Sequence, residues 1–197
     1  MADPLPHLPD LMLVDRCAQG EQAAARELFR THQARVHATL FRVLGANRDM
    51  EDLLQETFIQ VFRSLRGFRG EARLSTWIDR IAARVAYRYL AQKKGTAGTA
   101  PFDEEAEGAP AHRVEAADQM LAREGVRRVY AALDELGPAS RLAFTLHEVD
   151  GRSLAEVADL CGTSVTTAKL RVWRARRALM KRAEGDPVLG EFLREGA

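Results

Sequence analysis

Long hydrophobic runs are missing from this sequence of 197 residues, whose longest early apolar run is the four-residue stretch LMLV at 11–14. That run is much shorter than the apolar segment of a secretion signal or of a membrane span. The first ten residues, MADPLPHLPD, also lack the basic segment that precedes such a signal. We therefore expect a cytoplasmic protein with no membrane span.

Cysteine is equally scarce, since Cys17 and Cys161 are the only two and lie far apart. Both fall in apolar helical patterns, so we expect reduced core thiols and no structural disulfide. Enzyme motifs are missing too: HExxH, the P-loop and GxSxG do not occur, and His32 and His37 are spaced wrongly for one metal on one helix face. The sequence predicts no catalytic residue, metal or cofactor.

The chain also lacks a strong overall charge, because 29 basic residues face 28 acidic ones. No global field then draws it toward nucleic acid or a membrane, and any electrostatic function depends on local segregation of charge. Segregation is present: the segment at about 91–118 is rich in Gly, Ala, Thr, Pro and acidic side chains, whereas the predicted helix that runs into it ends in Arg84, Arg88, Lys93 and Lys94. We predict a flexible acidic linker at 93–118.

Apolar residues recur at intervals of three and four from about 11 to 90, and again from 119 to 183. No alternating segment bounded by hairpin turns predicts a strand. We expect an all-α protein with two small helical domains, a bundle of about four helices at 11–92 and a helix-turn-helix domain at 119–183. The tail at 184–197 fits either a frayed end or a small docking helix.

The second domain contains the spacing of a helix-turn-helix unit. Ser153 and Glu156 form a predicted capping box, Gly162 ends the helix that follows, and a new helix begins soon after. Helical hairpins that do not bind DNA share this spacing, so the spacing alone does not predict DNA binding. The residues of the second helix distinguish the two cases.

That second helix separates its residues sharply by type. At 100° per residue, an apolar stripe faces the core, formed by Val165, Ala168, Val172, Ala175 and Leu179. The opposite face presents cations around the apolar Leu170 and Trp173, with no acidic residue from 162 to 179. Phosphates and base edges of a major groove suit this face, and the alternatives are a solvated basic helix or an acidic protein partner.

In the first domain, the segment DMEDLLQETFIQVFRSL predicts a helix capped by Asp49. Its outward ridge combines carboxylates, an amide and an exposed isoleucine: Asp52, Gln55, Glu56, Ile59 and Arg63. An ordinary acidic helix start explains Asp52 through the helix dipole but leaves Ile59 unexplained. A basic partner helix would explain the whole ridge.

The next segment, GFRGEARLSTWIDRIAARVAYRYL, predicts a helix capped by Ser75 with Trp77, Ile81, Val85 and Leu90 facing inward. Its other faces interleave aromatics with arginines, which suits unstacked bases and a phosphate backbone. Buried aromatics with arginine stems lying over them are the alternative.

These segments together resemble the bacterial sigma factors, specifically the extracytoplasmic-function (ECF) class, which has only regions two and four. DMEDLLQETFIQVFRSL resembles the core-polymerase-binding motif, and FRGEARLSTWIDRIAARVAYRYL resembles the segment that melts and reads the minus-ten element. The segment at 133–179, ending in the basic helix, resembles region four, which reads the minus-thirty-five element.

The resemblance, with the exposed faces above, assigns three sets of residues. We expect the polymerase core to be bound by Asp52, Gln55, Glu56, Phe58 and Ile59. The minus-ten set is Arg69, Arg73, Ser75, Thr76, Trp77, Arg80, Arg84, Tyr87 and Arg88. The minus-thirty-five set is Thr166, Thr167, Lys169, Leu170, Arg171, Trp173, Arg174 and Arg177.

The resemblance implies a non-enzyme that binds core RNA polymerase, on the clamp helices of the largest subunit and the flap of the second subunit. It also implies promoter DNA and an anti-sigma factor as partners. The alternative function is a stand-alone helix-turn-helix transcription regulator that acts without core polymerase.

Overall fold

The computed structural model describes residues 8–95 and 116–195, and nearly all of them lie in helices. The first group of helices is α1 (Leu8–Ala18), α2 (Gln22–Leu44), α3 (Met50–Ser64) and α4 (Leu74–Gly95), with a 3₁₀ turn at Leu65–Gly67. The second group is α5 (Ala116–Asp134), α6 (Pro138–Phe144), a π-helical segment at Thr145–Val149, α7 (Leu154–Leu160), α8 (Val165–Glu184) and α9 (Pro187–Glu195). The all-α prediction is confirmed.

The first four helices form the predicted bundle. α2 and α4 pack along each other, and α3 packs against both. Their contact surfaces are apolar, with Leu28, Leu40, Val61 and Ile78 fully buried. Burial of these side chains supplies most of the stability of such a bundle.

One helix start and one capping hydrogen bond differ from the sequence prediction. Ser75 does not cap α4, because the helix begins one residue earlier and the backbone N–H of Leu74 donates to the Asp10 carboxylate of α1 at 3.0 Å. Asp49 does precede α3, but its carboxylate accepts a hydrogen bond from the Tyr89 hydroxyl at 2.8 Å and caps no N–H group. Both caps were mispredicted because the competing partners are distant in sequence.

The helix-turn-helix unit forms as predicted. Ser153 and Glu156 make a reciprocal capping box at the start of α7. Gly162 has a φ of +60°, a left-handed conformation that glycine adopts without strain, and this turns the chain into α8. Ser164 caps α8 by accepting from the Thr167 N–H at 3.2 Å.

The tail at 187–195 forms a docking helix, α9, and not a frayed end. Its Leu189 is 1% exposed and packs into a small core with Leu133 of α5 and Leu179 of α8. Most of the predicted linker, residues 96–115, lies outside the described residues, so the domain boundaries stay predictions.

The two groups of helices are in direct contact. One hydrophobic cluster includes Val43 and Ala83 of the first group together with Leu142, Leu146 and Leu160 of the second. Both cysteines are free thiols, and burial raises the pKa of Cys161 to about 11, so this thiol is protonated at neutral pH.

Two serine substitutions at helix starts should differ in their cost to stability. Ser153→Ala removes the acceptor for the Glu156 N–H and should lower the free energy of unfolding by about 1 kcal/mol in urea denaturation. Ser75→Ala, at the position that caps no helix, should lower it by less than about 0.5 kcal/mol. Equal losses would contradict the assigned helix starts.

Candidate polymerase and nucleic-acid interfaces

The ridge on α3 is an exposed surface over a buried support. Asp52, Gln55 and Ile59 are exposed, and Ile59 has 42% of its surface accessible. Phe58 is 3% exposed and packs on Phe29 with ring centroids 4.6 Å apart. Phe58 therefore supports the ridge from the core, while the other side chains form its outer surface.

The charges on this ridge are only partly satisfied within the chain. Glu56 pairs with Arg88 of α4 at 3.2 Å and accepts from Gln60 at 3.0 Å. Asp52 makes no ion pair with any residue that the structure describes. An exposed phenylalanine, Phe62, continues the ridge one turn beyond Ile59 with 38% of its surface accessible. Phe62 was not among the residues predicted from the sequence, although its position three residues after Ile59 was the available signal.

A hollow of about 440 Å³ lies between α3 and α4 beside Trp77. Trp77 is held edge-on against Phe68, with ring centroids 5.6 Å apart. The lining residues are Gln60, Arg63, Ser64, Gly67, Trp77, Ile81 and Arg84. The hollow thus combines an aromatic ring and two guanidinium groups with small residues that leave room for a planar group. Only Trp77 and Arg84 of this set were among the predicted minus-ten residues.

The predicted minus-ten residues fall into two classes of exposure. The exposed ones are Arg69, Arg73, Arg84, Tyr87 and Arg88. The half-buried ones are Ser75, Thr76, Trp77 and Arg80. Arg80 is engaged by Asp159 of α7, with Nη2 2.6 Å from Oδ2 and Nε 2.9 Å from the same oxygen. Arg80 therefore faces the second domain, whereas the exposed members of the set are open to solvent.

The core stripe of α8 follows the prediction except at its first residue. Ala168, Val172, Ala175 and Leu179 are buried, whereas Val165 is 50% exposed. The prediction for Val165 was wrong because it lies in the first turn after the cap, and the packed stripe of α8 begins one turn later, at Ala168.

The outward face of α8 is cationic and largely unpaired. Arg176 pairs with Glu148 at 2.7 Å, and Arg182 approaches Glu135 at 3.4 Å. Five other cations have no ion-pair partner among residues 8–95 and 116–195: Lys169, Arg171, Arg174, Arg177 and Lys181. The Arg177 guanidinium lies over the Trp173 ring at 5.4 Å from its centroid, which orients both groups on the surface.

Apolar side chains are displayed among these cations. Leu170 is 42% exposed and Trp173 is 53% exposed, as the helical periodicity predicted. Thr166 and Lys169 are exposed, and Thr167 and Arg171 are half-buried. An exposed helix with unpaired cations around apolar side chains has the composition of a surface that binds a polyanion with base edges or methyl groups.

Comparison with known proteins agrees with this geometry. The sigma-70 region 2 model matches residues 28–96, and the sigma-70 region 4 model matches residues 127–179. The ECF RNA polymerase sigma-E factor of Haemophilus influenzae is 34% identical over 87% of this chain and 94% of its own. The corresponding factor of Escherichia coli K12 is 32% identical over 87% of this chain and 93% of its own.

Two solved structures share the fold. CnrH, in complex with the cytosolic domain of CnrY, matches 89% of this chain and 97% of its own, with a TM-score of 0.60 and 26% identity. The sigma factor RpoE of Bartonella quintana, in complex with the anti-sigma factor NepR, matches 82% of this chain and 97% of its own, with a TM-score of 0.58 and 21% identity.

The chain belongs to the ECF sigma factors. It is a sigma factor that binds core RNA polymerase and directs promoter-specific transcription initiation. Among the described helices, none has the length and hydrophobicity that crossing a bilayer requires. The stand-alone regulator, our alternative, is not favoured because both sigma-70 regions are present in order.

The ion pairs on α8 predict that alanine substitution of two arginines will change the stability of the protein by different amounts. Arg174→Ala should change the free energy of unfolding by less than about 0.5 kcal/mol, because Arg174 is exposed and has no ion pair with residues 8–95 or 116–195. Arg176→Ala loses the pair with Glu148 and should cost up to about 1 kcal/mol. Urea denaturation measures both, and a larger loss for Arg174→Ala would show an unrecognised structural role.

Proposed function

We propose that three surfaces of this sigma factor perform its separate tasks. The ridge on α3 binds core polymerase, the basic side of α4 binds the minus-ten element, and the outward face of α8 reads the minus-thirty-five element. The observation that supports the scheme most is the cationic outward face of α8, where Leu170 and Trp173 are exposed among charges that mostly lack an ion-pair partner in the part of the chain that the structure describes.

On α8, the residues proposed to contact the minus-thirty-five element divide by chemistry. Lys169 and Arg177 suit phosphates, where a cation releases bound counterions. Arg174 stands at the centre of the face and suits a bidentate contact with a guanine. Leu170 suits the methyl group of a thymine, which is the apolar feature of the major groove.

On α4, the hollow beside Trp77 is proposed to hold an unstacked base of the minus-ten element. An aromatic ring and a guanidinium plane are the surfaces on which single-stranded bases stack. Arg63 and Arg84 at its rim would meet the phosphates on either side. Arg69 and Arg73, both exposed in the loop before α4, are proposed to extend this basic path.

On α3, the exposed carboxylate of Asp52 and the apolar Ile59 and Phe62 suit a partner helix with basic and apolar residues. We assign this partner as the clamp helices of the largest polymerase subunit, and we place region four on the flap of the second subunit. The half-satisfied Glu56 can exchange Arg88 for a polymerase cation.

We further infer an anti-sigma factor as a regulatory partner, because a similar fold was solved in complex with the anti-sigma factor NepR. The protein is proposed to act in the cytoplasm as a polymerase subunit and not as an enzyme. Run-off transcription from a promoter library with purified core polymerase tests the whole proposal, and promoter-specific transcripts should require the added chain.

Replacing Asp52 and Gln55, the polar residues at the start of the α3 ridge, should abolish binding to core polymerase. Asp52→Ala with Gln55→Ala leaves the buried support at Phe58 intact, so circular dichroism should not change. The control is Asp15→Ala with Gln19→Ala, which removes an acid in α1 and an amide just after it that donates to this acid at 2.8 Å. Pull-down with core polymerase measures the effect, and equal retention of both double variants would overturn the assignment of the ridge.

Removing Arg174 should relax specificity at one base pair. In transcription from a library randomised in the minus-thirty-five element, Arg174→Ala should lose about 1–3 kcal/mol of discrimination at a single position. Arg176→Ala, whose native side chain is paired with Glu148, is the control and should retain the preference. A uniform loss over all sequences would instead identify Arg174 as a phosphate contact.

A further inference from the structure

The loop that leads into α4 carries two arginines of the predicted minus-ten set. We call residues 68–73 the α4 loop; they are irregular and join the 3₁₀ turn at Leu65–Gly67 to the start of α4 at Leu74. Arg69 and Arg73 are exposed in this loop. An irregular surface segment keeps one conformation only where neighbouring elements hold it. The elements around the α4 loop therefore determine where its arginines lie.

The end of the α4 loop is held by a carboxylate of α1. The first N–H groups of a helix have no partner within the helix and are commonly capped by the residue just before it. At α4, the Leu74 N–H donates instead to Oδ2 of Asp10 at 3.0 Å, across 64 positions of the sequence. The negative charge of Asp10 also lies at the positive end of the helix dipole. Asp10 thus fixes the point at which the loop becomes helix.

The middle of the α4 loop is held by the next residue of α1. Gly70 has a φ of +71°, a left-handed conformation that glycine adopts without strain. A Cβ atom on this glycine would lie 3.1 Å from Cδ2 of Leu11, so the leucine side chain lies directly against the glycine backbone. Two successive residues of α1 therefore brace the α4 loop, one at its middle and one where α4 begins.

Helix α1 is itself anchored to the first group of helices. It packs against α2 and the 3₁₀ turn. Val14 is 7% exposed, and Leu13 packs against the main hydrophobic cluster. Arg16, in the last turn, pairs with Glu27 of α2 with Nη1 and Oε2 3.2 Å apart. The bracing residues therefore stand on a helix whose position is fixed by the bundle.

The braced loop also supports the aromatic ring of the hollow beside α4. Phe68, at the start of the α4 loop, is 8% exposed and holds the Trp77 ring edge-on. At the other end of the loop, the Arg73 carbonyl accepts from the Trp77 N–H at 3.0 Å. A shift of the α4 loop would therefore displace its arginines and the Trp77 ring together.

We propose that Asp10 and Leu11 are positioning residues for recognition of the minus-ten element. They hold the α4 loop and the Trp77 ring in one arrangement before DNA arrives, so that binding does not have to order them. The region 2 match begins at residue 28, so this brace lies outside the segment that matches the family model. The inference rests on the proposed function of the α4 loop, whereas the bracing contacts do not.

Hydrogen exchange in the free, full-length chain tests the contact made by Asp10. Asp10→Ala removes the acceptor for the Leu74 N–H, so a peptide covering 69–75 should exchange about five-fold faster, the effect of losing a helix cap. Asp15→Ala is the matched control, an acid of the same helix that accepts from Gln19, and it should leave this peptide unchanged. Exchange in the core of α2 should not change in either variant. Equal exchange of the peptide in both variants would overturn the proposal.

A pair of leucine substitutions tests the second contact. Leu11→Ala removes the side chain that lies against Gly70, and the peptide covering 69–75 should again exchange several-fold faster. Leu8→Ala is the control, because Leu8 lies on the same helix and is 68% exposed. The same exchange in Leu11→Ala and Leu8→Ala would overturn the assignment of Leu11.

Transcription by the holoenzyme from a library randomised in the minus-ten element tests the consequence for recognition. Asp10→Ala should lower the base preference several-fold at one or more positions of this element and leave the minus-thirty-five preference unchanged. Asp10→Asn keeps an oxygen that can accept from the Leu74 N–H, so it should retain the preference. A change that only destabilised the protein would lower all transcripts equally without altering the preference, and that result would overturn the proposal.

Arg69→Ala with Arg73→Ala separates this inference from the proposed function. If the α4 loop reads the minus-ten element, this double variant should also change the base preference. A preference that is lost here but kept in Asp10→Ala would overturn the positioning role alone. A preference that is kept in every variant would overturn the proposed role of the α4 loop, and the positioning role with it.

Discussion

The ion pairs of the Asp79 carboxylate are the interaction that determines how the two groups of helices meet. The carboxylate lies buried between Arg35 of its own domain and Arg152 of the other, so both domains contribute to neutralising one charge. The apolar surfaces around it form one continuous cluster, in which Val43 and Ala83 share a core with Leu142 and Leu146. A buried charge of this kind adds little net stability, but it fixes which surfaces meet.

Much of the fold could be predicted from periodicity and capping chemistry, because those signals are local. The Ser153–Glu156 capping box and the exposed Leu170 and Trp173 follow from spacing alone. Predictions failed where the partner is distant in sequence: Asp10 caps α4 in place of Ser75. The contact between Arg80 and Asp159 had no sequence signal, since 79 residues separate the two.

In the candidate sites, too, features formed by one helix could be predicted, and features formed by several elements could not. A helical wheel places the unpaired cations of α8 outward because one helix determines that face, and its one error, Val165, lies in the first turn. The hollow beside Trp77 combines residues of α3, the 3₁₀ turn and α4. The periodicity of each helix taken alone could not predict that Ser64 and Gly67 lie beside Ile81. Surfaces formed by several elements require the packed structure.

Hydroxyl-radical footprinting of the protein tests most directly the central claim, that the outward face of α8 reads promoter DNA. The exposed side chains of Leu170, Trp173 and Arg174 should be protected when both core polymerase and promoter DNA are added, and they should stay reactive with core polymerase alone. Unchanged reactivity of these side chains in the promoter complex would contradict the claim.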